Sequence, residues 1–158
     1  MLKKASKYFP RHYLVPYSEG LLAVTSGNEA KALKLFLKSL AIKPDAALTH
    51  ANISVCYKNA VNIPQMLKHA ALAVELANGD EVDLVYQQQE VLDIVANDLP
   101  DDLSLEQYIK NALVFEQAHK AMLSGETDLA IEQFTPVLNI DPANSPVLGN
   151  LGICYLIN

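Results

Sequence analysis

No stretch of the sequence alternates apolar and polar residues over the length of a strand, which argues against any half-buried sheet. Long apolar runs are missing too. Segments such as Leu21–Val24 fall far short of the roughly 20 residues that cross a bilayer, so no membrane partner is expected. Lys3, Lys4 and Lys7 are followed by Phe9-Pro10-Arg11-His12 rather than by an apolar segment, so the start does not read as a secretory signal. There is no basic excess. The net charge is −6 and the isoelectric point 5.1, whereas duplex binding needs a basic stripe that displaces counterions, so no nucleic-acid partner is expected.

Motifs of catalysis and metal binding are equally scarce. Gly27 and Gly125 stand alone and form no phosphate-cradling loop. His12, His50, His69 and His119 are scattered without His-x3-His or Cys-x2-Cys spacing, so no metal or cofactor is expected. Asp98, Asp101 and Asp102 lack the alternating ligands and turn glycine of a calcium loop and read as an acidic connection. No Ser or Cys sits in a nucleophile elbow. There are only two cysteines, Cys56 and Cys154. They read as buried small hydrophobes, and so few fit a reducing, cytoplasmic compartment.

What is present is an internal copy. Residues 17–60 and 115–158 align without a gap at 11 identities in 44 positions, where roughly 3 would arise by chance. Gly27, Ala32, Phe36, Leu40, Ile42, Pro44, Asn52, Cys56 and Tyr57 return 98 residues later as Gly125, Ala130, Phe134, Leu138, Ile140, Pro142, Asn150, Cys154 and Tyr155. The matches fall at helical spacing. With 51% hydrophobic residues over 158, the chain is long enough to bury a core.

Each copy carries Ala-x3-Phe-x7-Pro (Ala32, Phe36, Pro44; Ala130, Phe134, Pro142), and the second runs on into Leu151-Gly152-x2-Tyr155. This pattern resembles the tetratricopeptide repeat (TPR). A small Ala lets two antiparallel helices approach, Phe fills the space between pairs, and Pro ends the second helix. Gly27 and Gly125 stand where a first helix ends in a left-handed cap. The large aromatic that the family carries near the start of the first helix is absent, with Pro16 and Val114 in that slot.

The expected architecture is all-α: antiparallel helix hairpins stacked as a short right-handed α-solenoid, interrupted around 79–110. An N-terminal extension, 1–15, holds a short helix over Leu2–Phe9. A repeat domain, 16–158, follows, with repeats at about 16–45, 46–78, 111–142 and a partial one at 143–158. Expected helices span about 17–25, 29–42, 46–59, 64–77, 81–96, 104–123, 127–139 and 144–157. Asp45 is the expected cap of the third, Pro64 sits in the first turn of the fourth, and Ser104-x2-Gln107 reads as a capping box. In the second hairpin the turn glycine is missing and Ala70 replaces the aromatic. Between Gly79 and the second strong copy there is room for one helix and an N-terminal extension of the next, which makes 104–123 a long helix.

The resemblance implies a protein-interaction scaffold that holds a peptide or partner helix in a concave groove lined by the first helices. Asn52 and Asn150 share one slot there, and an amide that donates and accepts suits a peptide backbone. His50, Tyr57 and Gln88 complete the expected groove residues. The clamp for acidic chaperone tails is not expected, because Tyr17 and Leu21 stand where it needs Lys and Asn. The opening helix at 144–157 is not followed by a second helix, so its apolar side suggests either a homodimer through this helix or a longer natural protein. The alternative to a scaffold is therefore the N-terminal recognition part of a longer enzyme, such as a transferase, with its catalytic domain beyond Asn158.

Overall fold

A computed structural model describes residues 11–78, 83–140, 142 and 144–158. Among them are eight α-helices and no strand: α1 (Leu14–Thr25), α2 (Glu29–Ile42), α3 (Ala47–Asn59), α4 (Ile63–Glu75), α5 (Asp83–Asn97), α6 (Leu105–Leu123), α7 (Thr127–Ile140) and α8 (Ser145–Ile157). The short helix expected over Leu2–Phe9 and the stop at Gly79 lie outside the described residues. The chain divides into two compact units, Met1–Asp98 and Leu99–Asn158. The first helix, expected from about 17, already begins at Leu14. Pro16 is tolerated there because a first-turn N–H has no intrahelical acceptor.

Three hairpins are closed by one turn. In α1–α2, Gly27 N–H donates to the Val24 carbonyl and Asn28 N–H to the Ala23 carbonyl. In α3–α4, Val61 donates to Lys58 and Asn62 to Tyr57; in α6–α7, Gly125 donates to Met122 and Glu126 to Ala121. Each is a Schellman ending, which needs a left-handed residue: φ is 72° at Gly27, 79° at Gly125 and 55° at Val61. The β-branched Val61 therefore takes the missing glycine's place. The side chains of Asn28 and Asn62 then cap the following helices by accepting from the Lys31 and Gln65 N–H groups.

The amino-terminal unit packs α1 on α2, α2 on α3 and α3 on α4, and α5 lies against both α4 and α3. Its core joins Ala23, Ala32, Phe36, Ile53 and Cys56, with Tyr17, Leu33 and Leu40 around them. The carboxy-terminal unit packs α6, α7 and α8 around Ala118, Ala121, Ala130, Phe134, Val137, Val147, Leu151 and Cys154. Most positions correspond at the 98-residue offset. Phe36 and Phe134 are both fully buried, as the repeat pattern requires. The aromatic slot that read as empty is filled one residue later, because Tyr17 packs on Phe36 at 5.8 Å and Phe115 on Phe134 at 5.5 Å between ring centroids. Gly20 makes room for this, since a Cβ there would lie 2.5 Å from a Phe36 ring carbon. The equivalent Ala118 is buried without a glycine's concession.

Each unit also ties its third helix to the start of its second. Asn59 Nδ2 donates to Glu29 Oε1 at 2.7 Å, and Thr127 Oγ1 bonds Asn158 Oδ1 at 2.6 Å. Two expected caps differ. Asp45 caps nothing; the N-cap of α3 is Ala46, which makes no side-chain cap bond. Ser104 does accept from Gln107 N–H, but the Gln107 amide donates forward to Asn111 and, among the described residues, accepts nothing from the Ser104 N–H, so half of the capping box forms.

Candidate functional site

The first helix of each hairpin presents its start on one side of the amino-terminal unit. There a cleft of about 280 Å³ opens, lined by Tyr13, Leu14 and Tyr17 from the start of α1, Lys43 to Thr49 around the start of α3, Leu76 to Asn78 after α4, and Val85 of α5 (Pro44 aside). Its walls are mostly hydrocarbon: Leu14, Ala46, Ala47, Leu48, Leu76, Ala77 and Val85. Ser39, fully buried, donates to the Tyr13 carbonyl at 3.0 Å and fixes the α1 end of the wall. Lys43 Nζ stands 5.0 Å from the centre of the Tyr13 ring, a cation–π contact that holds the ammonium at the rim. Asp45, freed from capping, is exposed beside it.

Asn52 stands one turn beyond Leu48. Its Nδ2 donates to the Leu48 carbonyl at 2.8 Å and to the Tyr17 hydroxyl at 3.3 Å. A carbonyl can only accept, so this contact fixes which end of the amide is nitrogen. Among the described residues Oδ1 has no partner and is an open acceptor, and the Tyr17 hydroxyl keeps its own proton to donate. Burial pushes the Tyr17 pKa up, against the opposing effect of the Asn52 bond, so the phenol is held as a donor. Tyr17 was not among the expected site residues. It stands one position off the Asn52 slot, since the first two hairpin turns repeat at 34 residues, Asn28 to Asn62.

The other expected groove residues are placed differently. His50 is buried, with Nε2 2.9 Å from the Pro44 carbonyl and Nδ1 2.9 Å from Nδ1 of His69. The carbonyl requires Nε2 of His50 to carry the proton, so His69 Nδ1–H is the donor between the rings. This corrects the expectation of a groove-facing His50: α4 covers it. Tyr57 is half-buried and stacks on His69 at 5.7 Å. Gln88 is also buried, its amide donating to the Leu84 carbonyl of its own helix, because α5 turns that face onto α3 and α4. Asn150 is half-buried in the other unit. Phe115 stands where Tyr17 stands in the first copy and offers no hydroxyl, so Asn150 has no equivalent partner among the described residues. None of the five expected residues lines the cleft; Asn52 alone adjoins it, through its bonds to Tyr17 and Leu48 of the wall.

Among the described residues no three His, Cys, Asp or Glu side chains cluster as metal ligands, and no helix is long and apolar enough to cross a membrane. No family model matches the sequence, and no curated protein matches it. Among solved structures, the chain is similar to one titled "Crystal structure of YrrB: a TPR protein with an unusual peptide-binding site". The identity is 19% and the TM-score 0.49, over 98% of this chain and 82% of that one. The all-α fold of helix hairpins is read from the helix pairing within each unit of this chain.

Proposed function

We infer that the chain is a non-catalytic protein-interaction module, and that its amino-terminal unit takes an extended peptide segment of a partner in the cleft beside Tyr17 and Asn52. The observation that supports this is the hydrogen-bond state of that pair. Asn52 Oδ1 is free to accept a peptide N–H, and the Tyr17 hydroxyl is free to donate to a peptide carbonyl. One extended residue presents those two groups, whatever its side chain. The apolar walls suit a single aliphatic or aromatic anchor, since about 280 Å³ is close to the lower limit of ordinary ligand pockets. Lys43 and Asp45 bring opposite charges to the rim and favour neither sign of peptide.

The test is selection of binders from a displayed random-peptide library, followed by affinities for the wild type, Tyr17→Phe, Asn52→Ala and Asn150→Ala. Each change in the cleft is expected to weaken binding about 10-fold, the worth of one hydrogen bond of about 1.4 kcal/mol, and Asn150→Ala to leave it unchanged. Selected peptides indifferent to both Tyr17→Phe and Asn52→Ala would overturn the assignment.

A further inference from the structure

The two internal copies hold the start of their third helix in different ways. The N-cap residue of α3 is Ala46, which has no side-chain group to accept from the first turn. At the 98-residue offset the same position is Asn144, whose Oδ1 accepts from the Val147 N–H at 3.1 Å. The backbones are alike there, with φ −84° and ψ 91° at Ala46 against φ −62° and ψ 91° at Asn144. The cap of α3 is therefore missing through its side chain and not through the shape of the turn.

His50 has the opposite distribution, since the second copy carries Leu148 in its place. From one turn inside α3, His50 reaches back and donates through Nε2 to the Pro44 carbonyl at 2.9 Å. Among the described residues this is the only side-chain hydrogen bond to the backbone of 43–46. Where the cap is lost, a histidine holds the connection from within; where the histidine is lost, a cap holds it. Lys43, Asp45 and Ala46 of this connection line the cleft.

The grip of His50 depends on a second ring. A neutral imidazole carries its proton on either nitrogen, and the partner of one nitrogen decides which. His50 Nδ1 lies 2.9 Å from Nδ1 of His69 on α4. The ring centres are 5.0 Å apart and the planes 29° apart, so the two nitrogens face each other from the ring edges. With His69 Nδ1–H donating, His50 Nδ1 is the bare nitrogen and Nε2 holds the proton that Pro44 receives. Without that donor the proton is free to move to Nδ1. Nε2 then turns a lone pair on the Pro44 carbonyl, two acceptors face to face, inside a buried pair.

We propose that His69 and His50 form a relay that sets the position of the Lys43–Ala46 wall of the cleft. Both are positioning residues: neither lines the cleft, and α4 acts on it through the tautomer of His50. The effect on affinity rests on the cleft being the peptide site, whereas the position of the wall does not.

The test joins a readout without peptide to one that uses it. The double change His50→Leu/His69→Leu removes both partners of the ring pair, which spares the core an orphaned polar group, and makes position 50 like Leu148. In the free chain the Lys43 and Thr49 amides, bonded to the Ser39 and Ala46 carbonyls, are expected to exchange at least about 10-fold faster, while amides inside α2 keep their rate. Adding Ala46→Asn restores the cap and is expected to return that exchange to the wild-type rate. In His69→Leu alone, nitrogen NMR is expected to show a share of Nδ1–H tautomer on His50, where the wild type and His69→Asn show Nε2–H. Against a peptide selected on the wild type and weakened by Asn52→Ala, the double variant is expected to bind about 10-fold more weakly and His69→Asn equally well. Unchanged exchange at Lys43 and Thr49 in the double variant would overturn the proposal. So would His50 staying wholly Nε2–H in His69→Leu, or faster exchange with affinity unchanged. Peptides indifferent to Asn52→Ala remove the cleft reading instead, and exchange and tautomer still decide the relay.

Discussion

Acidification should loosen the second hairpin through one residue. His69 is buried between α3 and α4, donates through Nδ1 to His50 and stacks on Tyr57. Burial, then the neighbouring His50, then Lys68 hold its pKa down from 6.5 to about 4. The fold therefore prefers the neutral ring. Below about 6.5 the unfolded chain takes up a proton that the folded chain refuses, so stability is full above that pH and falls as pH drops toward 4. The gap corresponds to at most about 3 kcal/mol at about 1.36 kcal/mol per pH unit. The assay is urea unfolding at intervals from pH 7.5 to 4 for the wild type and His69→Asn, whose amide can still donate to His50 but does not titrate. At pH 7.5 the variant should be about 1 kcal/mol less stable, having lost its ring stacking. By pH 4 the wild type should have lost that advantage and more. Parallel pH profiles for the two proteins would refute the reasoning.

The remaining expectations concern backbone and packing. Val61 is exposed and left-handed, so Val61→Gly should stabilise the chain by about 1 kcal/mol, strain relief of about 1–2 kcal/mol exceeding glycine's entropy cost; thermal unfolding checks it. Gly20→Ala gains helix propensity worth about 1 kcal/mol but drives a Cβ into the buried Phe36 ring, and a net loss of about 1–2 kcal/mol is expected in denaturant titration. Pro136 lies exposed inside α7, where it removes a helix hydrogen bond, so Pro136→Ala should stabilise by about 1–3 kcal/mol in calorimetry.

The hairpins were legible because their signals are local. Gly27 and Gly125, Pro64, Ser104 and the Ala-x3-Phe spacing each act within one or two turns of helix, and the helices start and stop close to where those residues say. What escaped the sequence depends on which helices meet. Asn52 was legible as a slot, but its tie to Tyr17 joins residues 35 apart, and the pairing that buries His50 joins α3 to α4 through a second histidine of no recognisable spacing. Gln88 read as a groove residue until α5 was seen against two helices at once. Val61 was hidden because nothing marks a valine as left-handed except the turn that forces it.

The claim that matters most for function is that the cleft holds a peptide by its backbone, through Asn52 and Tyr17. The direct measurement is an N-methyl scan of one selected peptide against the wild type and Asn52→Ala. One position should lose about 10-fold or more of its affinity on methylation, and lose little in Asn52→Ala, because the acceptor for that N–H has gone. A scan in which no single N–H matters, or in which the sensitive one matters equally in both proteins, would contradict the account.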